Sequence, residues 1–161
     1  WTPAEGDDWR SFESWQDMAA AIPEGTRVFL AGGTQSIEIF TQRDDITLWA
    51  RALNVAGREG PPNVSFITAM PQVEMTEERE TFEQHGVELL CCKNSGGHAS
   101  FAKILAARDL GIPVWMLQRH TPDPSARKQM ARLQIHDNVE DVVLAARQIG
   151  RAYAISAPSI P

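Results

Sequence analysis

The sequence predicts a three-layer α/β domain with about five parallel strands joined by right-handed crossovers. Short apolar segments alternate along the chain with segments of helical spacing. The apolar segments are nearly continuous in hydrophobicity, as expected when helices cover both faces of a parallel sheet. The length of 161 residues fits one domain with a substantial core and excludes most complete two-domain enzymes.

The first strand, turn and helix come early in the chain. Residues 27–31 (RVFLA) form an apolar run, and the polar turn after it leads into a helix with Ile37 and Phe40 on one face. Further strands are predicted at residues 46–53 and 64–69, with a loop rich in glycine and proline between them.

The second half repeats this arrangement. Thr76 is predicted to cap a helix that ends at Gly86, and residues 87–92 (VELLCC) form the next strand. A helix is predicted to start within the polar segment that follows this strand, and residues 114–117 (VWML) form another strand.

The last part of the predicted domain is a long polar loop, a short strand and a helix. The loop covers residues 118–131, the strand residues 132–135, and the helix ends at Gly150. We therefore expect one domain over residues 1–150 and a tail over residues 151–161.

Charge and cysteine content exclude several classes of protein. The net charge is −6, which disfavours a nucleic-acid partner, and no apolar run approaches the length of a membrane span. Residues 1–80 hold 14 acidic and 6 basic side chains, whereas residues 81–161 hold 7 and 9. An anionic ligand is therefore expected to bind the second half. The two cysteines are adjacent in a predicted strand, which favours a reducing, cytoplasmic compartment over a disulfide framework.

Two polar loops follow predicted strands and are candidates for ligand binding. We call residues 32–36 the first glycine loop and residues 93–98 the second glycine loop. In parallel sheets ligands bind beyond the carboxyl ends of the strands, where glycine allows close approach and helix amino termini present free N–H groups. Lys93 adds a positive charge. The candidate residues for a phosphate or carboxylate are Gly32, Gly33, Gln35, Ser36, Lys93, Asn94, Ser95, Gly96 and Gly97.

Other interpretations remain open from the residues alone. Both loops could be tight turns without a ligand, and neither contains a standard nucleotide-binding motif. Arg51 and Arg119 follow or end predicted strands and could bind a carboxylate, although the acidic first half favours a surface ion pair for Arg51. The sequence indicates no catalytic set and no metal-ligand spacing, so the catalytic residues stay unknown.

The second glycine loop carries a resemblance to a known family. The segment VELLCCKNSGGHASFAKILAARDLGIPVWMLQR (87–119) resembles the most characteristic part of precorrin-6A reductases. The segments GDDW (6–9) and RVFLAGGTQSIEIF (27–40), and the strand that ends at Arg51, are similar to that family in order and spacing. The resemblance covers about residues 1–150.

The resemblance implies an enzyme of cobalamin biosynthesis with two Rossmann-like domains. NADPH would reduce a double bond of a tetrapyrrole macrocycle in the cleft between these domains. This chain would be the carboxyl-terminal half, and its partner would be the missing amino-terminal domain. Because the chain begins with Trp1 and not Met, we expect a piece of a longer protein, which would be inactive alone.

Two functions of other classes are alternatives. One is a non-catalytic module that binds an anion or a nucleotide. The other is a flavodoxin-like FMN carrier, which the lack of a Ser/Thr-rich phosphate loop near the start disfavours.

Overall fold

The structure, a computed structural model, describes residues 1–98, 100–118 and 139–156, with the side chains of the last helix described as far as Arg147. Its contacts divide the chain into two units, residues 1–120 and 121–161. Each unit is described by itself below. Within the described ranges, no helix has the length and apolar character that crossing a membrane requires.

The first unit is built on one sheet of six parallel strands. The strands are β1 (Trp9–Phe12), β2 (Arg27–Ala31), β3 (Thr47–Ala52), β4 (Val64–Thr68), β5 (Leu89–Lys93) and β6 (Val114–Leu117), in the spatial order β1-β6-β5-β2-β3-β4. The predicted α/β class and parallel sheet are confirmed, and the number of strands rises from about five to six. The added strand is β1, which pairs with β6 at the edge of the sheet.

Strand β1 has no apolar run that would mark it in the sequence. Only Phe12 of its four residues is buried, because an edge strand has one covered neighbour and one open side. Its register places Trp9 beside Val114 and Phe12 beside Leu117. A segment of this kind is stabilised by pairing with β6 more than by its own hydrophobicity.

Helices cover both faces of the sheet. On one face lie α1 (Trp15–Ala21) and α2 (Thr34–Phe40), and on the other lie α3 (Met75–His85) and α4 (Ala102–Asp109). The buried apolar residues form two clusters, one on each face of the sheet. In strand β2, Val28 and Leu30 belong to one cluster and Phe29 belongs to the other. This alternation confirms the predicted three layers.

Several predicted helix boundaries need correction. Helix α3 begins at Met75 after Glu74, so Thr76 lies inside its first turn and does not cap it. Its end is as predicted, because Gly86 adopts the left-handed conformation with φ of 57°. Helix α4 starts only at Ala102, so the whole second glycine loop precedes the helix.

The second unit contains helix α5 (Val139–Ser156). This helix continues past Gly150, where the sequence analysis ends the domain, and takes in the first six residues of the predicted tail. The predicted strand at residues 132–135 lies outside the described residues.

Candidate anion-binding site at the carboxyl edge of the sheet

The strand order brings the two glycine loops together. Strands β2 and β5 are neighbours, with Leu30 opposite Cys91 and Ala31 opposite Cys92. From β2 the chain proceeds through β3 and β4 on one side, and β5 and β6 lie on the other side. The two loops therefore leave the sheet side by side at the point where strand order reverses, which is where open α/β sheets bind ligands.

The first glycine loop turns sharply out of β2. Gly33 has φ of 85° and ψ of 174°, a conformation that an L side chain rarely adopts. Gly32 is pressed against the ring of Trp15, and the buried hydroxyl of Ser36 donates a hydrogen bond of 2.7 Å to the carbonyl of Gly33. Gly32 and Ser36 thus shape the loop from the inside, whereas Gln35 is exposed.

The second glycine loop lies against the first residue of the chain. The side chain of Asn94 accepts a hydrogen bond of 2.8 Å from the Trp1 nitrogen and donates one of 3.0 Å to the Trp1 carbonyl. The indole N–H of Trp1 donates to the carbonyl of Gly97 at 3.1 Å. These three bonds fix the loop, and Lys93 remains exposed at its start.

The predicted residues converge only in part. A Cβ built on Gly33 would lie 3.9 Å from the Nζ of Lys93, so the two loops are close enough to contact one ligand. Gly96 and Gly97 both have positive φ, at 67° and 77°. Arg119 lies outside the described residues.

A cavity of about 380 Å³ opens between the loops and the end of β3. Gly33 and Thr34 line it from the first loop, and Ser95 lines it from the second. Most of its remaining wall is apolar, and the charged side chains among its lining residues are Arg51 and Lys103. The cavity is therefore a small apolar recess with two cations in its wall.

Arg51 is buried, and the surface ion pair considered from the sequence is wrong. Only 6% of Arg51 is exposed, and its Nη1 donates to Oε2 of the fully buried Glu78 at 2.8 Å. The other oxygen of Glu78 accepts a hydrogen bond of 3.0 Å from the backbone N–H of Gln72. The guanidinium also lies over the ring of Phe29, 5.0 Å from its centroid. Arg51 is thereby held on two sides.

One nitrogen of Arg51 has no hydrogen-bond partner among the residues that the structure describes. Its Nη2 is buried, and no acceptor within the described ranges is in hydrogen-bond reach. A buried donor without an acceptor is unfavourable, since it has lost its bonds to water. The end of β3 therefore carries a cation that an incoming oxyanion would satisfy.

Lys103 is a second buried cation, at the start of α4. Only 4% of the residue is exposed, its Nζ donates to the carbonyl of Ser100 at 2.5 Å, and it lies 5.0 Å from the centroid of the Trp1 ring. Burial lowers the pKa of Lys103 from its ordinary value, with Cys92 and Glu78 acting in the opposite direction and Arg51 in the same one.

Lys103 and Glu78 were missed from the sequence. Glu78 lies in an acidic run in the first turn of α3, where negative charge is common, so its sequence context does not distinguish it from a solvent-exposed residue. Lys103 falls inside the apolar segment FAKILAA, and a lysine directly between Ala102 and Ile104, both buried, is the signal that could have shown it. A charge within an apolar stripe is expected to have a partner or a function.

Comparison with known proteins identifies the family. A model of the family "Precorrin-6x reductase CbiJ/CobK" matches residues 1–145. The chain belongs to this family. Membership confirms the resemblance that the second glycine loop carries, and it agrees with the order of the other matching segments.

Individual proteins that are similar to this chain are also named precorrin-6A reductases. The chain is 30% identical over 151 residues to a precorrin-6A reductase of Rhodococcus erythropolis, covering 93% of this chain and 57% of that protein. It is 32% identical over 124 residues to one of Sinorhizobium sp, covering 76% and 48%. A solved structure, "CobK precorrin-6A reductase", matches with a TM-score of 0.68 and 29% identity over 75% of this chain and 50% of that chain. This match confirms the Rossmann-like fold.

The chain spans about half the length of the relatives it matches. The family members are thus longer than this chain by a segment large enough for another domain.

Proposed function

We propose that this chain is the carboxyl-terminal half of a precorrin-6A reductase that acts in cobalamin biosynthesis. The observation that carries the proposal is the cationic cavity at the reversal of strand order, in a chain of the CbiJ/CobK family. In this proposal the partner of the chain is the amino-terminal half of the same enzyme, and the complete enzyme acts in the cytoplasm on a tetrapyrrole.

The residues of the site fit ligands that carry several anionic groups. Lys93 provides an exposed positive charge, Gly33 allows a ligand to approach the backbone, and the unpartnered nitrogen of Arg51 requires an acceptor. The acetate and propionate groups of a tetrapyrrole and the phosphates of NADPH are both suitable acceptors. When bound, NADPH supplies the hydride for the reduction.

The role of this chain is to bind and orient. Ser95, which lines the cavity, and Lys93, whose Nζ lies near Gly33 of that lining, would hold an anionic group, and the apolar part of the wall would limit its contact with water. Placement by several such contacts is what a hydride transfer requires from a protein. A half that holds its ligands on one side only is expected to bind them without turnover.

The experiment uses the reading frame that carries this chain together with its other half. Turnover with precorrin-6A and NADPH is measured for the wild type and for Lys93→Ala. We expect KM for one of the two ligands to rise about threefold to tenfold, because one exposed charge-assisted hydrogen bond is lost. The matched control is Arg79→Ala, which removes an exposed cation that pairs with Glu83 and Asp109 on the surface.

Three results would contradict the proposal. Absence of turnover in the complete protein would exclude the reductase activity, and binding without turnover would favour the non-catalytic module. Unchanged KM values for Lys93→Ala would exclude the second glycine loop from binding.

A further inference from the structure

Three ionisable side chains are buried together beneath the cavity. Arg51, Glu78 and Lys103 are 6%, 0% and 4% exposed. They come from β3, α3 and α4, so the fold assembles them from distant parts of the chain. Two cations and one anion leave this cluster with one uncompensated positive charge.

Buried charges in proteins are normally paired, because an unpaired charge has lost its hydration. Glu78 cannot compensate both cations, since one of its oxygens binds Arg51 and the other accepts from the amide of Gln72. Among the described residues, the Nζ of Lys103 donates a hydrogen bond to one acceptor, the uncharged carbonyl of Ser100. A single anionic group in the cavity would balance the cluster.

The geometry fixes where that group would lie. The bond to Glu78 and the contact with the ring of Phe29 set the plane of the Arg51 guanidinium, which leaves Nη2 as its open position. Arg51 and Lys103 both line the same cavity. The end of Lys103 is confined between the carbonyl of Ser100 and the ring of Trp1. Because Nη2 of Arg51 is itself buried in the cavity wall, an oxyanion would contact it after a local shift of the side chains that cover it.

We propose that Arg51 and Lys103 form a buried subsite for one oxyanion group of the ligand, a carboxylate or a phosphate, and that Glu78 is a positioning residue that orients Arg51. This inference rests on the proposed function, because it names residues that hold one anionic group of that ligand. Lys93 at the exposed rim and this subsite in the cavity wall are then separate contacts.

The test measures binding of two probes to the 161-residue chain. Uroporphyrin I presents carboxylates on a macrocycle, and NADP⁺ presents phosphates, so the two probes separate the possible sources of the oxyanion. Affinities are measured by calorimetry for the wild type, Lys103→Met and the control Arg79→Met. Circular dichroism and urea unfolding establish that each variant is folded.

Lys103→Met is the decisive variant because it keeps the length of the side chain and removes a charge that burial already disfavours. We expect its affinity for one of the probes to fall at least tenfold while Arg79→Met stays at the wild-type value. We also expect wild-type affinity to fall as pH rises and Lys103 loses its proton, whereas Lys103→Met shows no such decline. Lys103 is surrounded, among the described residues, by the charged groups Arg51 and Glu78, the thiol of Cys92 and the ring of Trp1.

Glu78 is tested by comparing two substitutions. Glu78→Gln keeps one acceptor oxygen for Arg51 and gives up the bond from the backbone N–H of Gln72, so its affinity is expected to stay within threefold of the wild type or to increase. Glu78→Ala removes that orientation and is expected to bind at least fivefold more weakly than Glu78→Gln. Glu80→Gln, on the exposed side of the same helix, is the control.

The outcomes separate this inference from the proposed function. Wild-type affinity for both probes in Lys103→Met would overturn the subsite, and the proposed function would stand if Lys93→Ala still weakened binding. Tighter binding by Glu78→Ala than by the wild type would overturn the positioning role. Failure of the wild-type chain to bind either probe would overturn both the subsite and the anion-binding basis of the proposed function.

Discussion

Removing Glu78 from the buried Arg51–Glu78 ion pair should destabilise the first unit strongly, whereas removing both partners should cost much less. At an effective dielectric of about 20, unit charges 2.8 Å apart attract by about 6 kcal/mol. Burial of the two ions costs several kcal/mol each, so the net contribution of the pair is small. Removal of Glu78 leaves Arg51 buried beside Lys103 without an anion, at a cost of about 3–5 kcal/mol. Removal of Arg51 leaves Glu78 with Lys103 as a buried cation and is expected to cost less.

Urea unfolding followed by tryptophan fluorescence measures these differences. All five tryptophans lie in residues 1–120, so the signal reports the first unit. We expect Glu78→Leu to lower the free energy of unfolding by about 3–5 kcal/mol and Arg51→Met to lower it by less, because Lys103 remains beside Glu78. The double variant should lose about 2 kcal/mol or less, since its two apolar side chains fill similar space without charge.

The two single variants and the double variant form a double-mutant cycle, and a second such cycle at an exposed ion pair serves as the control. Arg79 and Glu83 form an exposed pair at 3.1 Å, for which we expect a coupling energy of about 0.3–0.5 kcal/mol. Additive effects of Arg51→Met and Glu78→Leu would refute the reasoning, because they would show that the two side chains do not depend on each other.

Two further predictions concern stability. The Arg108 side chain holds the pKa of Asp7 below its ordinary value of 3.8 through hydrogen bonds of 2.7 and 2.9 Å. The resulting stabilisation is complete above pH 3.8 and is lost as pH falls through the lowered pKa of the folded state. Asp7→Asn should therefore reduce the urea midpoint at neutral pH but not in strong acid, and a difference that persists in acid would argue against this pairing. Gly32→Ala should cost about 1–3 kcal/mol in urea unfolding, because its Cβ would lie 2.7 Å from the ring of Trp15; an unchanged midpoint would show that the ring can move away.

The sequence pattern was sufficient to predict the central strands and the positions of the two glycine loops that follow them. Strands β2 and β5 are buried on both faces and have apolar residues at nearly every position, so their pattern is unambiguous. Both loops follow directly from these strands, and parallel pairing places them at one edge. The identity of the loop residues then sufficed to predict an anion-binding edge.

The cluster beneath the cavity could not be predicted in the same way. Arg51 and Glu78 are 27 residues apart, and no local pattern relates them. Their contact depends on how α3 packs across the sheet, which is a property of tertiary structure. Strand β1 was missed for a related reason, since its pairing partner β6 lies more than 100 residues later in the chain.

The position of β1 has a consequence for how the protein is synthesised. Trp9 pairs at the level of Val114, so β1 leaves the ribosome about 100 residues before the strand with which it pairs. Until β6 emerges, residues 9–12 have no edge to join and must wait as an unpaired segment. The sheet of this unit is therefore complete only after β6 has been synthesised, which sets the earliest time at which the unit can finish folding.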